Sequence, residues 1–408
     1  MESMDRIKTI RGYEILNAKG NPTVEVEVVT EKGHEGVASV PSGTSTGSYE
    51  AFVLIDHEER FSGKGVRKAV RNVNEIIAPA LIGQTLDSIE KVDRIMLELD
   101  GTDNKSNLGA NAILPVSVAC AKVRAKAMGL PLYATLTDRK KFRIPNIIAT
   151  VIAGGEFGVS GLEFEDYLYI FHDFDHFIDQ LEALIIFRRE LENKLKRKYG
   201  SFPEDGGALA APIKTTEEAF NTMLEVAAEN KYADKVGLGL DVAASELLEN
   251  SGKYKVGAGA LTREELAGYY EKLCQDYPLE YLEDGFHEDD IEGFNLIQKF
   301  PGHIQNVGDD LFTSNISRLE MYGKSANGLL LKVNQIGSVS EAIKAAEYAT
   351  ANGIDVTVSL RSGETADDFI ADLAVAVGAR QIKLGSPVRL ERNVKYNRLL
   401  KIASEIEK

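Results

Sequence analysis

At 408 residues, with 44% hydrophobic and 27% charged side chains, the chain has the composition of a globular protein of two or three domains, fewer if one is a large barrel. A formal net charge of −16 argues against a nucleic-acid or anionic-membrane partner, but leaves room for local acid clusters that hold divalent cations. The two cysteines, Cys120 and Cys274, imply no disulfide framework and suit a reducing cytoplasm; no signal-peptide core and no run of 18 apolar residues is present.

Residues 6–60 read as a β-meander. Residues 24–28 alternate Val-Glu-Val-Glu-Val, the pattern of a half-buried antiparallel strand, and residues 36–40 form its return strand after a turn at Glu31-Lys-Gly33. Pro41-Ser-Gly-Thr-Ser-Thr-Gly47 has no periodicity. Its hydroxyls and glycines make either a plain surface loop or one that places N–H groups and hydroxyls on an anion. Residues 66–81, 88–100 and 110–129 carry apolar side chains at helical spacing, and Gly129 and Pro131 stop the third helix. Strands followed by helices make residues 1–137 an α+β domain.

Beyond Pro145 short apolar runs alternate with helical stretches. Strands are predicted at 146–152, 168–171, 237–240, 281–282, 305–307, 329–333, 355–358 and 381–383. Helices are predicted at 177–199, 215–230, 262–277, 339–352 and 365–378. Eight strands separated mostly by helices suit a closed β/α barrel over residues 138–408, with its active site at the C-terminal strand ends. The first two strands follow one another with no room for a helix, an irregular start for such a barrel. The run Gly328-Leu-Leu-Leu-Lys332 reads as a strand covered on both faces and ending in a lysine. A lysine there is either paired with acid or placed for chemistry, because burial and neighbouring cations make it a usable base.

Polar residues recur where the other strands end. Asp241, Glu283-Asp284, Asp309-Asp310, Lys332, Arg361 and Lys383 stand on successive strands. Any single acid could be only a helix cap. Three consecutive acidic positions make a hard-oxygen site of the kind Mg²⁺ takes, with two lysines and an arginine opposite. That arrangement suits removal of a proton alpha to a carboxylate, the metal answering the enediolate charge and a lysine taking the proton.

The chain resembles the enolase family over nearly its whole length. The matching segments include Gly20-Asn-Pro-Thr-Val-Glu-Val26, the 41–47 loop, Leu108-Gly-Ala-Asn-Ala-Ile-Leu114, Gly308-Asp-Asp-Leu311, Leu331-Lys-Val-Asn-Gln-Ile-Gly337, Arg361-Ser-Gly-Glu-Thr365 and Gln381-Ile-Lys383. The resemblance implies an α/β fold, an enolase-type ββαα(βα)6 barrel with an N-terminal α+β capping domain, which accounts for the irregular start. It implies Asp241, Glu283 and Asp309 as Mg²⁺ ligands and Ser45 as a ligand of a second Mg²⁺. Lys332 becomes the general base, Lys383 the holder of the substrate carboxylate, and Arg361 and Ser362 the phosphate contacts. A homo-oligomer, dimer or octamer, is implied in the same way.

Several positions depart from the family pattern. Phe157 and Leu360 stand where histidines are usual, Glu165-Asp166 replaces a Gln-Glu pair, and Asp205 shortens the general acid by one methylene. Lys19 replaces an arginine and Pro115 a glycine. The changed group surrounds the departing hydroxyl, and imidazole replaced by leucine leaves neither donor nor acceptor. The expectation is therefore an enzyme that forms the enolate of a small phosphorylated acid with its water-eliminating half altered. The alternatives are an ordinary, slower enolase, an enolase-like enzyme of phosphonate metabolism such as carboxyphosphonoenolpyruvate synthase, and a non-catalytic scaffold. His172 and His176 have a metal-like i, i+4 spacing without a third ligand, and His287 follows a metal strand.

Overall fold

The computed structural model describes residues 5–43, 47–155, 158, 161–302 and 304–407. Strands β1 (Ile7–Leu16), β2 (Pro22–Thr30) and β3 (Glu35–Ser39) form an antiparallel sheet with β2 in the centre. Val24, Val26 and Val28 are fully buried, so the alternation seen in the sequence is the burial alternation of β2. That face packs on the helix Ala110–Met128. The approach is close: a Cβ at Gly36 of β3 would lie 2.5 Å from the carbonyl oxygen of Ala119. Pro115 is buried within this helix, which continues through it. The meander ends earlier than expected, at Ser39, because residues 51–57 pair with no strand and instead run between the two domains. Ala51 N donates to the Gln335 carbonyl and Phe52 N to that of Asn104.

The barrel opens with β4 (Asn146–Ala153) and β5 (Asp166–Phe171), paired antiparallel. The helix Phe177–Tyr199 follows, then a small hairpin of β6 (Glu204–Asp205) and β7 (Ala208–Leu209), then the helix Thr216–Ala228. β8 (Val236–Asp241) pairs antiparallel with β5. A short hairpin, β9 (Tyr254–Val256) and β10 (Gly259–Leu261), precedes the helix Arg263–Asp276. β11 (Leu279–Glu283), β12 (Gln305–Gly308), β13 (Gly328–Leu331), β14 (Asp355–Ser359) and β15 (Gln381–Lys383) continue in parallel, and β15 closes on β4. All eight predicted barrel strands are present, in the order ββαα(βα)6. The helix predicted from residue 365 begins later, as Phe369–Val377. The intervening residues bind the N-terminal domain instead: Thr365 Oγ1 accepts from Ser39 Oγ, and Asp367 pairs with Lys122 at 2.8 Å.

Strand periodicity divides the barrel core. Ile148, Leu168, Ile170, Tyr281, Val307 and Leu330 form a cluster apart from the main core, which contains Leu329 and Leu331. The three leucines of β13 thus alternate, Leu330 facing one way and its neighbours the other. The domains are joined through the start of the helix Val339–Ala351. Val339 N donates to Ser117 Oγ at 3.1 Å and Ser340 N to Asp93 Oδ2 at 2.9 Å, so N-terminal-domain side chains satisfy two amides that the helix cannot. No described helix is long and apolar enough to cross a membrane.

Candidate active site

The alternation that faces Leu330 into the barrel places Lys332, two residues on, at the barrel mouth. The same step leads from Tyr281 to Glu283, from Val307 to Asp309, from Gly239 to Asp241 and from Gln381 to Lys383. On antiparallel β5 the count runs backwards, from Leu168 to Asp166. A cavity of about 100 Å³ results, lined by Asp166, Asp205, Asp241, Lys332, Leu360, Arg361, Ser362 and Lys383 among others. Eight residues singled out in the sequence therefore meet in one place. Glu283 and Asp309 complete the set through their lysines. Ser45 and Phe157 lie outside the described residues.

Lys383 Nζ stands 2.6 Å from Asp241 Oδ2 and 2.8 Å from Glu283 Oε2, with Asp166 Oδ2 3.9 Å away. Asp241 and Glu283 are register neighbours on β8 and β11, which brings their carboxylates onto one ammonium. Tyr281 Oη donates to Glu283 Oε2 at 2.6 Å. Lys332 pairs with Asp309, whose other oxygen accepts from Gln335 Nε2 at 2.7 Å. The expectation that burial and neighbouring cations depress Lys332 is only part of the balance. Burial is the largest influence and lowers the Lys332 pKa, but Asp309 and Glu283 raise it, and the net displacement is upward. Lys383 is likewise pulled down by burial and driven well up by Asp241 and Glu283.

The acids carry the opposite strain. Burial and then the Asp241 charge push Glu283 well above its ordinary value. Asp284 is raised by burial and by Asp310, and Asp310 is pushed up to about 8 by burial and by Asp309. Carboxylate oxygens of Asp284, Asp309 and Asp310 lie within 4.8 Å of one another. Hard oxygen donors, buried and mutually repelled, fit a divalent cation of the Mg²⁺ class, which would relieve that repulsion. Asp241 and Glu283 share Lys383, whereas Asp309 belongs to the neighbouring group with Asp284 and Asp310.

On the other wall, Asp166 is pushed up to about 6, chiefly by burial, with Lys383 opposing; its Oδ2 accepts from Thr150 Oγ1 at 2.9 Å. Asp205 is held over the mouth by the β6–β7 hairpin, which joins the sheet where Leu209 pairs with Ile152 of β4. Lys19 of the N-terminal domain reaches Asp205 at 3.9 Å. Leu360 N donates to the Lys383 carbonyl at 3.1 Å. Arg361 lies only 5% exposed and is gripped by both oxygens of Glu50, at 3.0 and 3.1 Å.

The histidines lie elsewhere or do other work. His172 follows Phe171, which is in register with Val236 at the start of β8, so it sits at the opposite end of the barrel. There it meets Glu280 at 3.5 Å, while His176 meets Glu407 at 3.6 Å. His287 groups with Glu288 and Asp289, and its Nδ1 accepts from Asp289 N at 3.1 Å. The sequence patterns give no role to Glu50, Gln335 or Arg392. Two of these left a signal. Glu50 is an acid at the edge of the apolar run 51–55, and Arg392 falls on the same helical stripe as buried Tyr396, Leu399 and Ile402.

Comparison with known proteins agrees with this fold. Residues 7–136 match the family model "Enolase, N-terminal domain" and residues 141–408 match "Enolase, C-terminal TIM barrel domain". The protein named Enolase from Methanopyrus kandleri is 46% identical, over 99% of this chain and 96% of its own length. Those from Methanocaldococcus jannaschii and Pyrococcus furiosus are 45% and 46% identical over 100% of this chain and 97% and 96% of theirs. With both domains matched and relatives of this identity over the full length, the chain belongs to the enolase family.

Proposed function

We propose that the chain catalyses the ordinary enolase reaction, reversible loss of water from 2-phosphoglycerate to give phosphoenolpyruvate, with Mg²⁺ as cofactor. The observation that carries this reading is a single cavity with Lys332 on one wall and Asp166 and Asp205 on the other. Full-length relatives named Enolase support the ordinary reaction over the altered water-eliminating half expected from the sequence, and nothing favours a scaffold.

In this reading Asp241, Glu283 and Asp309 would hold Mg²⁺, which would supply positive charge to the substrate's carboxylate. Lys383 holds the substrate carboxylate, and Arg361 and Ser362 take the phosphate. Lys332 removes the C2 proton, and that electron pair becomes the C2–C3 double bond. The C3–O bond breaks as Asp205 delivers a proton to the hydroxyl, which leaves as water. Asp166, hydrogen-bonded by Thr150, lies on the same side. Asp205 lines the cavity despite the missing methylene.

Incubation with 2-phosphoglycerate and Mg²⁺ in D₂O tests the proposal. Phosphoenolpyruvate formation that chelator abolishes is expected. Exchange at C2 without phosphoenolpyruvate would restore the altered reading, and neither signal would refute both. A homo-oligomer is part of the same proposal. β1 is an edge strand with Tyr13 and Leu16 exposed, a surface for a second copy, and sedimentation velocity checks it.

A further inference from the structure

Buried cations in this fold are answered by acceptors. Lys395 meets Glu364 at 2.8 Å, Lys105 meets Glu341 at 3.1 Å, and Arg188 donates to Glu204 at 2.7 Å and to the Gly207 carbonyl at 3.0 Å. Arg392 is the contrast. It is 5% exposed and lines the active-site cavity, yet its Nε has no hydrogen-bond partner and its guanidinium forms no ion pair among the described residues. An unanswered buried charge is costly, so its retention needs a reason.

The surroundings are shaped to admit it. A Cβ at Gly206 would lie 2.2 Å from Arg392 Nη2, and one at Gly385 would lie 2.6 Å from Nη1. Both glycines have positive φ, +52° and +64°. The guanidinium therefore fills a slot between the turn that follows Asp205 and the segment that follows Lys383. The outer side of the same hairpin is already held, by Arg188 and by Arg389, which donates to Glu204 at 3.0 Å. Of these three arginines only Arg392 lines the cavity. The carboxylates of Asp166 and Asp205 line the same cavity, and the Arg392 charge acts on Asp166.

We propose that Arg392 is a positioning residue for the water-eliminating step. Its guanidinium braces the turn that carries Asp205 and opposes the joint negative charge of Asp166 and Asp205, so that Asp205 is presented to the leaving hydroxyl. This rests on the reaction proposed above.

The test compares C2 proton exchange with phosphoenolpyruvate formation in Arg392→Met and Arg392→Lys. Arg392→Met is expected to lower phosphoenolpyruvate formation by about a hundredfold, the scale of a misplaced catalytic group, with C2 exchange and KM within about twofold. Arg392→Lys should recover part of the loss. If Arg392→Met fails to fold, Gly206→Ala serves: it displaces the guanidinium without removing its charge and should give the same split. Equal loss of both signals, or no loss of either, overturns the inference. Wild-type protein that exchanges without forming phosphoenolpyruvate overturns the proposed reaction and this inference together, whereas an active wild type with an unaffected Arg392→Met overturns only the second.

Discussion

In the proposed reaction Lys332 and Asp205 divide the chemistry between two walls of one cavity, and single substitutions should separate them. Lys332→Ala removes the proposed base and should abolish C2 exchange and phosphoenolpyruvate formation together, by at least about a thousandfold, as read by NMR in D₂O. Asp205→Asn keeps the size of the side chain but cannot deliver a proton. It should stop phosphoenolpyruvate formation while C2 exchange persists. Identical profiles for the two variants would show that the walls are wrongly assigned. Leu360 stands where the family resemblance implies a histidine; it lines the cavity, and its backbone is tied to Lys383 by a 3.1 Å hydrogen bond. The loss is therefore one of side-chain chemistry with the strand end kept in place.

At the scale of the element, β13 shows how packing delivers chemistry. Leu330 is fully buried in the inner cluster, and Gly328 permits the approach of β12, since a Cβ there would lie 2.7 Å from Val307 Cγ2. Leu330→Ala should cost about 2–5 kcal/mol in urea unfolding, as large-to-small changes in packed cores do, and should also displace Lys332 two residues on. The helix Arg263–Asp276 offers a contrasting case, remote from the cavity. Thr262 and Glu265 form a reciprocal capping box, each side chain bonding the other's backbone N–H. Thr262→Ala should destabilise by about 1 kcal/mol and leave turnover unchanged. The β6–β7 hairpin could not be foreseen from periodicity, because two-residue strands carry no readable repeat.

Across the whole molecule, Asp93 couples the domains and makes their union sensitive to pH. It is fully buried, accepts from Ser340 N on the barrel side, and leaves Oδ1 without a partner. Burial pushes its pKa up to about 6. A carboxyl raised in the folded state binds more protons there than in the unfolded chain. Its contribution to stability therefore falls as pH rises from about 4 to about 6, by roughly 2–3 kcal/mol. Asp93→Asn keeps an acceptor for Ser340 N and should flatten that slope. Urea midpoints for both proteins at pH 4, 5 and 6 check it, and parallel slopes would refute it.

The sequence alone determined the order of the eight barrel strands and the polar residues that end them. Alternation in β2, the apolar runs of the barrel and the polar residues that close those runs are local signals, because strand geometry sends every second side chain to one face. The same rule placed Asp241, Lys332 and Lys383 at strand ends before any contact was known. Tertiary structure decided what those residues do to one another. Asp309 and Glu283 together offset the burial that would lower Lys332, Asp241 and Glu283 converge on Lys383, and Glu50 crosses from the other domain to hold Arg361. Asp205 reaches the cavity only through a hairpin docked on β4, and Arg392 only because two glycines make room for it. Electrostatic balance and close approach depend on distances between residues far apart in the chain, and a one-dimensional pattern does not contain those distances.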